Sequence, residues 1–227
     1  MHNTIAERFV AAYQAITEIP QPNGAIVQLI AVSKTKPVNM LQQAYQAGAR
    51  HFGENYVQEL VEKAQTMAAQ TDICWHFIGP IQSNKTRDIA RYASVVHSVD
   101  RLKIAERLSA QRPAELPPLQ VLLQVNISDE ASKSGIVPTE VMALAEAITV
   151  LPNLQLRGLM AIPSPAVNGD NSSAFAAMAA LSAQLQQRWP AADQLSMGMS
   201  DDWQQAIRFG ATMVRLGTAI FGAREKT

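Results

Sequence analysis

The sequence holds a single cysteine, Cys74, so no disulfide can form within the chain and a reducing compartment is expected. It has no excess charge of either sign: 19 Lys and Arg balance 19 Asp and Glu. That balance leaves no electrostatic footprint for nucleic acid or an anionic membrane surface. No uninterrupted apolar run approaches the length of a membrane span. The opening residues, Met1 to Ile5 followed by Glu7 and Arg8, lack the apolar core of a secretion signal. A cytoplasmic protein is the expectation. His2, His51, His76 and His97 show no metal-ligand spacing, so no metal site is expected. Repeats, low-complexity tracts and linkers are also missing, which predicts one domain over residues 1–227, with 1–24 forming a helix and turn ahead of the first strand.

What is present is a regular alternation. Residues 4–17 place Ile5, Phe9, Ala12, Tyr13 and Ile16 on one helical face, with Thr4 and Glu7 spaced as a capping box. Strands are predicted from Val27 to near Ser33, at His51–Asn55, Cys74–Gly79, Ser94–Ser98, Leu119–Asn126, Leu154–Ile162, weakly at Leu195–Met199, and at Met213–Gly217. Helices are predicted between them: 38–47, about 56–69, 83–92 with Ser83 as cap, 100–110, 138–150, 174–189 and 201–209. Eight strands alternating with seven helices argue for a parallel sheet, and that number argues for a closed (β/α)8 barrel. An open doubly wound sheet usually announces itself with a glycine-rich strand-to-helix turn, and no G-x-G-x-x-G or P-loop occurs.

One stretch stands apart: Ile30-Ala31-Val32-Ser33-Lys34-Thr35-Lys36-Pro37. A lysine at the end of a buried strand either surfaces into solvent or is kept inside, where burial favours the neutral, nucleophilic amine. If the strand persists, Lys36 points to the same side and its charge further disfavours a protonated Lys34. In a barrel, functional groups gather at the carboxyl ends of the strands. The residues at the end of each apolar run are Lys34, Asn55, His76, Ser98, Asn126, Met160, Ser200 and the group Arg215, Gly217 and Thr218. Phosphate sites in barrels often use the loops after strands seven and eight, and both loops here set a glycine beside a hydroxyl: Gly198 with Ser200, Gly217 with Thr218.

These motifs carry a resemblance. AVSKTKP (31–37), FGENYVQE (52–59), WHFIGPIQSNK (75–85), VNISDEASKSG (125–135), GLMAIP (158–163), LSMGMSDDW (195–203) and VRLGTAIFG (214–222) resemble the pyridoxal 5'-phosphate (PLP) homeostasis proteins, from residue 31 onward. The resemblance implies a fold similar to the N-terminal barrel of alanine racemase, with PLP as cofactor held as a Schiff base on Lys34. It implies phosphate contacts from Ser200, Gly217 and Thr218, and an arginine, Arg215, facing the pyridine nitrogen. Asn55, His76 and Met160 are further expected around the cofactor, with Lys36 and Lys133 as possible accessories in its transfer.

The implied role is storage, protection and delivery of PLP, with PLP-dependent apoenzymes as recipients and the chain a monomer. The alternative is a PLP-dependent amino-acid racemase with a minimal site. Racemisation needs two acid–base groups on opposite faces of the substrate carbon, and of the four tyrosines only Tyr56 is expected near the rim. A barrel hydrolase using His76 and Glu54 without PLP is a weaker option.

Overall fold

The alternation read from the sequence closes on itself. The computed structural model describes residues 4–128, 134–165 and 169–223. Its strands are β1 (Gln28–Val32), β2 (His51–Glu54), β3 (Cys74–Phe77), β4 (Val95–Val99), β5 (Leu119–Val125), β6 (Leu154–Ala161), β7 (Gln194–Ser196) and β8 (Met213–Leu216). All pair in parallel in chain order, and β8 returns to β1 with Ile30 opposite Arg215. Seven of the surrounding helices are α1 (Ile5–Thr17), α2 (Val38–Gln46), α3 (Val57–Thr66), α4 (Thr86–Tyr92), α5 (Leu102–Gln111), α6 (Val141–Thr149) and α7 (Ser172–Arg188). The last helices of the described residues are α8 (Trp203–Arg208) and the short α9 (Thr218–Phe221); the sequence pattern left the latter unassigned. None of the described helices is long and apolar enough to cross a membrane.

The period-2 alternation sorts each strand between two environments. Leu29, Phe52, Trp75, Phe77, Val121, Leu123, Leu159, Val214 and Leu216 face the helices and share one continuous core with them. The inner face is different. Besides Ile30, Met213 and a small cluster of Val95, Leu122 and Met160, against which Cys74 packs, it carries His76, His97, Ser196 and Arg215, all buried. Barrel interiors are usually filled by layers of branched aliphatic side chains, so a polar interior marks this one out.

The outer ring is completed from the front of the chain. The helix after β8 has only four residues, and α1 packs against both α9 and α2, closing the gap that a full eighth helix would fill. Its start is fixed by the expected capping box: Glu7 N–H donates to Thr4 Oγ1 at 3.2 Å, and Thr4 N–H to Glu7 Oε2 at 2.8 Å. Ser83 does not cap α4 as expected. It opens a 3-10 turn (Ser83–Lys85), and its carbonyl instead accepts from Thr86 and Arg107.

Along β6, register slips by one residue: Leu156 faces Val121, but Gly158 faces Leu122. Arg157 is the extra residue of the resulting bulge. Gly158 adopts φ +144°, and a Cβ there would sit 1.8 Å from Gln194 O on β7. Both the backbone angle and the space therefore require glycine. Gly158→Ala is expected to cost about 3 kcal/mol or more, from strain plus a backbone shift, seen as a lower urea midpoint with an unchanged m-value.

Candidate functional site

The lysine of the first strand sits on a turn that is tied down from behind. β1 ends at Val32, and Lys36 N–H donates to Ser33 O at 3.1 Å across a turn in which Thr35 takes φ 63°. The strand does not persist, so the expected side-by-side placement of Lys34 and Lys36 is not formed by strand alternation. Lys36 instead reaches the carbonyl of Ala223 with its Nζ at 2.9 Å. Lys34 itself is half-buried at the rim.

Both flanks of Lys34 lead to one buried ammonium. Lys63, on α3 and 4% exposed, donates to Ser33 O at 2.8 Å, Glu54 Oε1 at 2.7 Å and Glu59 Oε2 at 2.7 Å. Ser33 Oγ also donates to Glu54 Oε1 at 2.5 Å, and Thr35 N–H donates to Glu59 Oε2 at 2.8 Å. The three donors of the ammonium are thus spent on three acceptors. Burial pushes the Glu54 carboxyl up to about 7, against the opposing pull of Lys63. Sequence reasoning missed this residue because Glu59 and Lys63 look like an ordinary surface i,i+4 pair. The signal was there: Lys63 lies in the stripe of Leu60 and Met67, both buried.

Across the β1–β8 seam lie the two glycine loops. Arg215 N–H donates to Gly198 O at 3.0 Å, joining the end of β8 to the loop after β7. That loop is shaped by Asp202, whose Oδ1 accepts from Met199 N–H at 2.7 Å. Ser200 and Thr218 are both exposed on the rim, and Gly217 carries the helix start, its carbonyl accepting from Ile220 and Phe221. A Cβ on Gly217 would press on Val32 O at 3.2 Å, so glycine lets this helix start lie close against β1. Lys34, Asn55, Ser200, Gly217 and Thr218 therefore come from four strands that are consecutive round the barrel, β7, β8, β1 and β2.

Two expected site residues lie elsewhere. Met160 and His76 are both 0% exposed, and without accessible surface neither offers an atom to a ligand on the rim. Met160 packs with Val95 and Leu122 inside the barrel. His76 sits in a column: His51 Nδ1 to His76 Nε2 at 2.9 Å, His76 Nδ1 to His97 Nε2 at 2.8 Å, and His97 Nδ1 to Ser196 Oγ at 2.9 Å. Arg215 closes it, donating to Ser196 Oγ at 2.5 Å and to Ala161 O at 3.0 Å. Burial pushes His76 and His97 well down, with neighbouring His97 and His51 adding to it for His76 and Arg215 adding to it for His97. Burial likewise brings the Arg215 guanidinium to about 10, Asp202 opposing. Two of the five donors of the guanidinium are spent in these bonds. Asn55, half-buried, has an amide oxygen buried with no partner. Lys133 lies outside the described residues.

Register, rather than sequence spacing, also gathers His51, Cys74 and His76, whose ligand-type atoms fall within 4.8 Å of one another. Burial pushes the Cys74 thiol up to about 11, away from the thiolate that metals take. The two imidazole nitrogens are already joined by their own hydrogen bond.

The Lys63 network makes two expectations measurable. Lys63→Met leaves Glu54 buried without its cation and is expected to cost about 3 kcal/mol or more at pH 8, read by urea unfolding, with part recovered in Lys63→Met/Glu54→Gln. The raised Glu54 carboxyl sets the sign of a pH effect. Between its ordinary 4.5 and about 7 the folded chain holds a proton that the unfolded chain has lost. Its contribution to stability is therefore full below 4.5 and falls as pH rises to about 7. Unfolding midpoints from pH 4.5 to 8 are expected to show this fall in the wild type and less of it in Glu54→Gln.

A family model described as alanine racemase, N-terminal domain, matches residues 11–225. The pyridoxal phosphate homeostasis protein of Pseudomonas aeruginosa is 56% identical over 226 residues, covering 98% of this chain and 97% of that protein. PipY of Synechococcus elongatus, solved with PLP bound, is 38% identical with a TM-score of 0.84, covering 96% of this chain and 100% of that one. Alanine racemase of Corynebacterium glutamicum shares the fold alone: 16% identity, TM-score 0.71, 98% of this chain and 62% of that one. The chain belongs to the pyridoxal phosphate homeostasis proteins, a family built on the alanine racemase N-terminal barrel.

Proposed function

We propose that this protein binds PLP through Lys34, shields its reactive aldehyde in the cytoplasm, and gives the cofactor up to PLP-dependent apoenzymes. The observation that carries the reading is the shared arc of Lys34, Arg215 and the Gly217-Thr218 helix start, at the carboxyl ends of neighbouring strands. PLP supplies an electrophilic aldehyde, an anionic phosphate and a pyridine nitrogen. The residues present suit all three. The Lys34 amine adds to the aldehyde with loss of one water, and addition of water or exchange with another amine reverses the link. The Ser200 and Thr218 hydroxyls, with the first-turn amides of α9 that have no acceptor inside the helix, suit the phosphate. Arg215 has donors left for the ring nitrogen, and the unpartnered oxygen of Asn55 can accept from a ring substituent. His76 and Met160 support the site from beneath rather than by contact. Lys36, held by Ala223 O at 2.9 Å, suits an accessory role in transfer rather than in holding.

We read the chain as non-catalytic. Tyr45 donates to Asp72, Tyr92 accepts from Gln65 and Tyr13 stacks on Phe9, all on the helix layer. Tyr56 stands exposed at the start of α3, a poor setting for a tuned acid or base. Arginine cannot give up its proton to the ring nitrogen, and an unprotonated ring is a poorer electron sink than one paired with a carboxylate.

Three measurements test this reading. Borohydride reduction of the PLP complex followed by peptide mass mapping is expected to place the pyridoxyl group on Lys34; an unlabelled Lys34 would sink the assignment. L-alanine incubated with the complex in deuterated water is expected to take up no deuterium, and rapid uptake would make the protein an enzyme. Thr218→Val is expected to weaken PLP binding about tenfold, the worth of a hydrogen bond to a charged group, read by titration of the absorbance band.

A further inference from the structure

A column of polar side chains through a barrel calls for a reason, because each buried polar group costs free energy unless it is fully hydrogen-bonded. Here every link is made, and the links constrain one another. A neutral imidazole has one N–H and one acceptor nitrogen. Each contact in the column needs one hydrogen, so the two imidazole–imidazole contacts must run in the same direction.

The arginine end sets which direction. Arg215 is a donor only, so Ser196 Oγ must accept from it. The hydroxyl hydrogen of Ser196 then needs an acceptor, and among the described residues its other partner is His97 Nδ1. Ser196 therefore donates to His97, leaving the His97 hydrogen on Nε2, where it meets His76 Nδ1. The His76 hydrogen falls on its own Nε2 and meets His51 Nδ1. The opposite direction would leave Ser196 accepting twice, with its hydroxyl hydrogen unused.

We propose that Ser196, His97 and His76 are positioning residues that form a one-way hydrogen-bond relay, running from Arg215 toward the amino-terminal end of the barrel. The relay holds the guanidinium in place for the ring nitrogen of PLP and supplies that nitrogen with no transferable proton. Every hydrogen in the relay points away from the cofactor side, and the group that meets the cofactor is an arginine. The ring nitrogen accepts a hydrogen bond and stays unprotonated, so the bound cofactor is kept a weak electron sink. Burial of His76 and His97 supports the neutral forms that the relay requires. This inference rests on the reading of Arg215 as the partner of the ring nitrogen.

The relay is tested first in the cofactor-free protein, by nitrogen-15 NMR of histidine-labelled samples at pH 7. Neutral rings with the hydrogen on Nε2 are expected for both His76 and His97; a hydrogen on Nδ1, or an imidazolium, at either residue overturns the relay. The positioning role is tested by Ser196→Ala beside Ser196→Thr, which keeps the hydroxyl. With PLP, Ser196→Ala is expected to bind about tenfold more weakly and to shift the absorbance maximum, while Ser196→Thr stays close to wild type. An unchanged spectrum and affinity in Ser196→Ala, with the wild type binding normally, overturns the positioning role. A wild type that takes up no PLP overturns the functional reading and the positioning role with it, while the NMR result still decides the direction of the relay.

Discussion

One ammonium group, that of Lys63, fixes where the first strand stops. A lysine that is nearly inaccessible must have all its hydrogens placed, and here they go to a main-chain carbonyl and two carboxylates. Those acceptors belong to Ser33, Glu54 and Glu59, so the end of β1, the end of β2 and the first turn of α3 are held by one group. A buried ion pair adds little net stability over an apolar substitute, but breaking it is costly. Its contribution here is geometric. It selects the turn that sets Lys34 on the rim, where the proposed link to PLP asks for an amine held in one orientation.

The inner and outer faces of the strands have divided the labour. Outward residues are apolar and join sheet to helices. Inward residues give up part of the usual aliphatic filling for a hydrogen-bonded column ending at Arg215. The fully buried network fixes a guanidinium that would otherwise sample many rotamers. The rim residues proposed to hold PLP lie on short loops after consecutive strands. The same barrel carries amino-acid chemistry in racemases. In this chain Tyr56, the tyrosine expected near the rim, stands exposed at the start of α3.

Much of this was legible in the sequence. Strand order and count came from apolar runs at regular spacing, and the rim residues from the positions at the end of each run. What was not legible arises from pairing between strands and layers. His51, Cys74 and His76 converge because β2 and β3 lie in register, a relation no spacing rule along the chain expresses. His76 looked like a rim residue because it sits near the end of a strand, yet its side chain turns inward and is consumed by two other histidines. Met160 was misplaced for the same reason, since a strand-end position fixes height along the barrel but not access to solvent. Lys63 was overlooked because charge was taken as a sign of exposure, when its neighbours in the stripe, Leu60 and Met67, said otherwise. The turn at Thr35 needed the third dimension too: whether the strand persists to Lys36 is settled only when Glu59 is seen to claim the Thr35 amide.

The use of α1 as the closing piece of the outer ring bears on synthesis. Its Arg8 side chain donates to the carbonyl of Ile220, 212 positions away, and β1 finds its second neighbour only in β8. Contacts of such span cannot form until the ribosome has released almost the whole chain, and closing so long a loop slows folding. During translation the first strand has one bare edge until β8 is made. A nascent chain therefore exposes its first strand well before both neighbours of that strand exist.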